Sequence, residues 1–332
     1  MIKVTSQFIK VTKTVKWLFF TVVTILLLLF SVNLIWTLIE KGNNPPPGQM
    51  VAVDGKRMHV FTDGNGPINV ILLSGLGAPS PVIDFMPLVH HLKKEYRVSV
   101  VEYFGYGWSD DTNKSRSIDN VVEEIRAALK GVGVSPPYVL VPHSFSGLHA
   151  LVFSNRYPSE VSAIVGLDIS VPEQMQYMPE MHFSGLSPFL RIFGIVRIAL
   201  LVDPSLSTAY TSKEFSDDTT SSINMMVNWN YGNEASKNEI RQAKSNLKDT
   251  QTLIFTKNIP VNMILSSHTI NNPPFVLPKD FWESSHRTIV EGNPQSKVIV
   301  LNGEHCIYHD NTEKVVEIIN ETINIIDARI TK

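Results

Sequence analysis

Residues 139–147 read V-L-V-P-H-S-F-S-G, and the fold turns on this stretch. The run 138–141 is short and apolar, the pattern of a strand buried on both faces. It breaks at Pro142-His143-Ser144 and re-enters helix-compatible sequence at Gly147-Leu148-His149-Ala150-Leu151. A serine at a sharp strand-to-helix turn is a nucleophile elbow, which holds the hydroxyl at the crest of a sheet. The first N–H groups of the following helix lack partners within it and suit a developing oxyanion. The usual spacing is G-x-S-x-G. Here Pro142 and Ser146 flank Ser144, and the glycine comes one position late at Gly147. Reading Ser146 as the nucleophile instead puts Leu148 where the turn is tightest. A buried H-S-x-S-G turn standing alone is more often structural, so the flanking chain has to decide.

Upstream, Asp54-Gly55 between 50–53 and 56–61 is a two-residue hairpin signal. The run 70–73 is a buried-type strand ending in Ser74-Gly75-Leu76-Gly77. Helical spacing follows over 82–94, with Phe85, Leu88, Val89 and Leu92 on one face. Then come a strand over 97–101, the turn Gly105-Tyr106-Gly107-Trp108-Ser109-Asp110, and an amphipathic helix over 118–129. Downstream, 148–156 reads as the elbow's helix and 161–167 as another apolar strand. Strands alternating with helices imply a mostly parallel sheet covered on both faces. Sites in such sheets lie at the carboxyl ends of the strands.

These motifs, in this order, resemble the α/β-hydrolase fold superfamily in its esterase, lipase and peptidase branch. The resemblance covers about 50–170 and 258–328. Ser74-Gly75-Leu76-Gly77 is similar to that family's oxyanion loop, usually H-G-x-G. The run 105–109 is similar to its G-x-G-x-S turn, 147–158 to its elbow helix with an R-Y-P ending, and Asn302-Gly303-Glu304-His305 to its histidine loop. The resemblance implies an α/β fold with Ser144 as nucleophile and the N–H groups of Leu76 and Phe145 as oxyanion hole. A serine at this position sets the chain apart from the dehalogenase and epoxide-hydrolase branches, which use aspartate there.

The chain has ten histidines, so most serve elsewhere. His143 adjoins Ser144, but neighbouring strand residues point to opposite faces. His59, His90, His91 and His149 fall in hairpin or helix contexts that suit packed or solvated roles. His305 follows the apolar strand 297–301 and precedes the final helix, 313–326, where a loop histidine can lean over the elbow. His309 is the local rival. A neutral imidazole can take the serine proton and return it to the leaving group.

The acid departs from the family pattern. It usually follows the strand after the cap, here 261–265, but that strand runs into Ser266-Ser267-His268-Thr269-Ile270-Asn271-Asn272 without a carboxylate. The preceding strand ends Leu167-Asp168-Ile169-Ser170, and some members of the fold carry the acid there. Asp168 would fix the imidazole tautomer and stabilise the imidazolium. The competing readings are that Asp168 caps a loop and that Asp280 or Glu283 is the acid, or that none is present.

The core is expected over 50–169 and 259–332, with 170–258 a cap or lid that breaks the β/α rhythm. Within it, 188–202 is dense in apolar residues and carries only Arg191 and Arg197 as charges, while Ile223, Met225, Met226, Trp229 and Tyr231 add more. Most of these must pack the cap onto the core. The sharper expectation is an apolar acyl or aryl pocket beneath it, with a lid face touching lipid. The polar run 234–249 reads as a solvated helix.

At the N-terminus, 17–39 contains no charged residue. It matches the roughly 20 apolar residues a helix needs to cross a bilayer. Lys3, Lys10, Lys13 and Lys16 precede it with no acidic residue, so positive-inside asymmetry places 1–16 in the cytoplasm and the hydrolase domain outside the cell membrane. A cleaved signal peptide is the competing reading, but its apolar core runs about 7–15 residues and ends at small residues. A buried core helix fits an all-round apolar run poorly. Residues 40–49, with Pro45-Pro46-Pro47, read as a stiff linker lifting the domain off the membrane.

The 332 residues, 43% hydrophobic and 18% charged with a net charge of −2, allow one large domain plus an insertion. This balance gives no hint of nucleic acid. Cys306 is the sole cysteine, so neither an internal disulfide nor a thiolate zinc site is expected. No metal or organic cofactor is implied. The partners expected are a small-molecule ester or peptide and the membrane lipid around the N-terminal helix. The resulting expectation is a membrane-anchored serine hydrolase for an apolar ester, less readily an amide or thioester, with no cofactor. The alternatives are a proline-iminopeptidase-like aminopeptidase and a non-catalytic binding protein on the same fold.

Overall fold

The computed structural model describes residues 2–182, 184–204, 206–207, 215–273 and 276–330. Helix α1 (Ile2–Asn43) comes first. Strands β1 (Gln49–Val53) and β2 (Lys56–Asp63) then pair through Asp54 and Gly55, both at positive φ (50° and 76°). Positive φ at both central residues is what a type I′ hairpin requires, and Asp-Gly supplies it at low cost. The chain continues as β3 (Asn69–Leu73), α2 (Pro81–Leu92), β4 (Arg97–Glu102), α3 (Ile118–Gly131), β5 (Tyr138–Pro142), α4 (Ser146–Arg156) and β6 (Val161–Leu167). Between β6 and the next strand the described residues include the α-helices α5 (Ser187–Ile192), α6 (Ile195–Val202), α7 (Asp217–Asn230) and α8 (Glu234–Asp249). Then follow β7 (Val261–Ser266), α9 (Ser267–Asn271), α10 (Phe281–Ile289), β8 (Lys297–Leu301), α11 (Ile307–Asp310) and α12 (Thr312–Ile330).

The strands make one eight-stranded sheet, ordered β1-β2-β4-β3-β5-β6-β7-β8. β2 is antiparallel to both neighbours, and every later pair is parallel. Side chains of the central strands alternate between two cores, as the period of two demands. Ile71, Leu73 and Leu140 join Val121, Ile125, Leu148 and Leu151 of α3 and α4 on one face. Val70, Leu72, Val139 and Val141 join Phe85, Leu88, Val315 and Ile319 of α2 and α12 on the other. Burying each such side chain stabilises the fold by about 1.5–3 kcal/mol before entropy is counted. This two-faced burial is why the strands read as continuous apolar runs.

Two expectations need correction. The polar helix α8 is not solvated all round: Asn238, Glu239, Asn246 and Leu247 are buried against the core. Nor do residues 40–49 form a free spacer. Helix α1 continues to Asn43, and its end is tied directly to the inserted helices. The Arg197 guanidinium pairs with the Glu40 carboxylate, and Trp229 Nε1 donates to Glu40 Oε2 at 2.9 Å. The segment 13–43 is long and apolar enough to cross a membrane by length and composition. One such helix near the N-terminus is compatible with an anchor and equally with a signal sequence.

Candidate active site

The turn from β5 to α4 puts Ser144 at φ 52°, a left-handed conformation that costs a non-glycine residue free energy. The surrounding backbone holds it there. His143 N–H donates to Leu73 O (2.8 Å), and Ser144 N–H donates to Leu167 O (3.1 Å). Pro142 fits because of where it falls in the ladder. Pairing between β5 and β6 runs to Leu140↔Ile164, lapses at Pro142, and resumes at the bridge His143↔Leu167. A proline is tolerated where no N–H is required. Gly147 permits the closest approach in the turn, since a Cβ there would lie 2.6 Å from Ile169 Cβ and 2.7 Å from Ser170 O.

His305, in the loop between β8 and α11, reaches the elbow from the other end of the chain. Its Nε2 is 2.9 Å from Ser144 Oγ, and its Nδ1 is 2.7 Å from Asp168 Oδ2. Asp168 directly follows β6 and is fully buried. Three further donors converge on its carboxylate: Ser266 N–H (3.0 Å) and Trp282 Nε1 (3.0 Å) on Oδ1, and the Thr269 hydroxyl (2.5 Å) on Oδ2. Four donors supply the hydrogen bonds that a buried carboxyl group otherwise loses with water. The end of β7 and helix α9, where the family pattern expects the acid, instead carry Ser266 and Thr269, which grip Asp168 from beside the neighbouring strand β6. Asp280 precedes α10 as its N-cap residue, and Glu283 pairs with Arg287 at the surface.

The other histidines divide by environment. His143 is buried beside His305, with ring centroids 4.8 Å apart, and its Nε2 faces His305 O at 3.3 Å. Burial, then the neighbouring His305, push its pKa well below the ordinary value, so it stays neutral. For His309, burial opposes the charge, but ion pairing with Asp84 (2.9 Å) outweighs it and raises the pKa. His309 therefore belongs to the packing of α11 against α2. His59 is fully buried and paired with Glu102 at 2.9 Å. Glu102 also accepts from Trp108 N–H (2.8 Å) and the Ser80 hydroxyl (2.9 Å), which ties down the turn 103–109.

Among residues 143–148, the N–H groups of His143, Ser144, Ser146, Gly147 and Leu148 all have acceptors. Among the described residues, no acceptor is bonded to the N–H of Phe145 or of Leu76. Phe145 is buried and Leu76 half-buried, and backbone N–H groups in such surroundings are usually paired. Gly77 N–H donates to the Tyr106 hydroxyl (2.6 Å), which donates to Glu239 Oε2 on α8 (2.5 Å). Burial raises the pKa of both groups. No pattern in the sequence marks this tie between the 74–77 loop and the inserted helices. Gly75, Leu76, His143, Ser144, Ile223 and His305 line a cavity of about 90 Å³. No group of His, Cys, Asp and Glu able to hold a metal occurs among the described residues.

A family model described as alpha/beta hydrolase fold matches residues 68–266, and the chain belongs to that family. Among curated relatives, an uncharacterised Bacillus subtilis protein, YbdG, is 40% identical over 127 residues, covering 38% of this chain and 39% of its own. A pimeloyl-[acyl-carrier protein] methyl ester esterase of Xanthomonas oryzae pv. oryzae is 36% identical over 94 residues, 28% of this chain and 34% of its own. These matches thus span well under half of either relative. Among solved structures, an epoxide hydrolase from Vigna radiata superposes with a TM-score of 0.62 at 17% identity, covering 83% of this chain and 97% of its own. An esterase from Thermogutta terrifontis gives 0.56 at 16% identity, covering 84% and 98%. At such identities the likeness concerns the fold.

Proposed function

We propose that this chain is a membrane-anchored serine hydrolase that cleaves a carboxylic ester through an acyl-enzyme. The observation that carries the reading is the run of short contacts from Ser144 Oγ to His305 Nε2 (2.9 Å) and from His305 Nδ1 to Asp168 Oδ2 (2.7 Å). Ser144 Oγ attacks the ester carbon while its proton passes to His305 Nε2. Asp168 keeps Nδ1 protonated, so that Nε2 is free to accept. The carbonyl oxygen takes on negative charge and is met by the N–H groups of Leu76 and Phe145. An oxyanion donor of this kind is worth about 3 kcal/mol in the transition state. The tetrahedral centre collapses, His305 returns the proton to the departing alkoxide, and water then frees the acyl group by the same steps.

The esterase among the curated relatives supports the substrate class. Ser144 separates the chain from epoxide hydrolases, whose branch uses aspartate at this position. The uncharged run 17–39 exceeds the apolar core of a signal peptide, which favours a retained anchor, and the lysines before it favour a cytoplasmic N-terminus with the hydrolase domain outside. Fluorophosphonate labelling of the full chain tests the chemistry: the wild type labels and Ser144→Ala does not. An unlabelled wild type overturns the serine mechanism. Hydrolysis of p-nitrophenyl esters in preference to aminoacyl anilides is the expected result of a substrate panel. Resistance of the full chain to carbonate extraction from membranes tests the anchor.

A further inference from the structure

Helices α5 and α6 form a hairpin whose outer surface is apolar and, among the described residues, unpartnered. On α5 and its N-cap the exposed residues are Leu186, Phe189 and Ile192, and on α6 they are Ile195, Ile198 and Leu201. Each set is spaced by three, which makes one stripe on one helix face. The exposure is large: 63% for Leu186, 59% for Phe189 and 66% for Leu201. Water-facing helices of a soluble domain place charges there instead. The hairpin's two charges point inward, Arg191 to Trp229 O (3.0 Å) and Arg197 to Glu40.

The hairpin is fixed to α1 inside the apolar run as well as at its end. Asn33 Nδ2 donates to Arg191 O (3.0 Å) and Ile192 O (3.2 Å), and Asn33 Oδ1 accepts from Arg197 Nε (3.1 Å). Gly194, at φ 69°, lets the α5–α6 turn approach, since a Cβ there would lie 3.0 Å from Asn33 Cβ. Asn33 lies six residues before Ile39, the end of the uncharged run. At 1.5 Å per residue this is about 9 Å along the helix. Helices that lie flat in a bilayer surface sink about 5–10 Å.

We infer that the α5–α6 hairpin is embedded in the outer leaflet beside α1, so that the occupant of its apolar face is the membrane lipid. The inference rests on the anchor reading above: if residues 17–39 cross a bilayer, whatever touches Asn33 lies below the lipid headgroups. The side chains at that depth are those that hydrocarbon tolerates, and the two arginines are neutralised or hydrogen-bonded away from it. Helix α7 packs against α5 and α6 and carries Ile223 into the cavity at Ser144. The reaction centre is thus one helix away from lipid, which suits an ester dissolved in the membrane rather than in water.

The test uses the full chain in phosphatidylcholine vesicles carrying a diazirine on one acyl chain. After irradiation, lipid adducts are mapped by mass spectrometry of peptides. Adducts are expected on peptides of 186–202 as well as of 17–39, and Ile198→Asp with Leu201→Asp should lose the former and keep the latter. Adducts on 17–39 alone overturn the inference while leaving the anchor intact. Cross-links from 186–202 to a second copy of the chain also overturn it, making the face an interface between copies. Absence of adducts from 17–39 overturns the anchor reading itself.

Discussion

Asp168 is held by four donors and offered no proton acceptor, so a substitution that keeps its shape tests its charge. In Asp168→Asn one oxygen becomes an amide nitrogen that must face donors already aimed at it. His305 then loses the acceptor that fixes its tautomer, and kcat on a p-nitrophenyl ester should fall about ten-thousandfold. His149 tests a different property. It is buried on α4 with neither ring nitrogen hydrogen-bonded, against Tyr103 and Phe145. Burial, then the nearby Arg116 charge, depress its pKa to about 3. The unfolded chain binds a proton below pH about 6.5 that the folded chain refuses until about pH 3. The folded state therefore loses stability as pH falls through that window, by about 1.4 kcal/mol per unit at most from this group. His149→Leu should flatten the acid limb of stability measured by urea unfolding at pH 7 and pH 5.

At the scale of elements, the 74–77 loop and the elbow are packed too closely to admit a methyl group. A Cβ on Gly75 would lie 2.8 Å from Ser144 Cβ and 3.3 Å from its Oγ. Gly75→Ala should push the hydroxyl off line and slow fluorophosphonate labelling about a hundredfold. The stability cost should stay within about 1–3 kcal/mol, followed by thermal unfolding on the same sample. On the loop's other side, Tyr106→Phe removes the acceptor of Gly77 N–H and the donor to Glu239 together. An unpartnered buried carboxyl costs about 1–3 kcal/mol. Adding Glu239→Leu should restore most of the stability but not the labelling rate. Ser144, Asp168 and His305 were legible because each stands at a strand's carboxyl end, and strand ends show in apolar patterning. Ser266, Thr269 and Trp282 were not: they hold Asp168 from 98 to 114 positions away, and a donor at that range leaves no periodic signal. Glu239 was hidden for a related reason, since a helix carrying Asn238, Glu239 and Asn246 on its buried side reads as solvated by composition.

At the scale of the whole molecule, the two-core sheet was readable from the apolar runs and their turns, but the join between α1 and the inserted helices was not. It depends on Arg197 meeting Glu40 across 157 positions, within a stretch whose prolines suggest a spacer. The pair is well shielded, with side-chain exposures of 8% and 15%. Arg197 also donates to Thr37 Oγ1 (3.2 Å) and lies 5.0 Å from the Trp36 ring centre. A shielded ion pair adds little net stability, yet removing one partner strands the other. Arg197→Ala should therefore destabilise the full chain in detergent by about 3 kcal/mol, because among the described residues the Glu40 carboxylate keeps only the Trp229 donor. Glu40→Ala should cost less, since the guanidinium keeps Asn33 Oδ1 and Thr37 Oγ1 as acceptors. The double variant should cost clearly less than the two added together, since residues in contact do not act independently. Strict additivity in that cycle, measured by thermal unfolding, would mean that α1 and the inserted helices are held by something other than this pair.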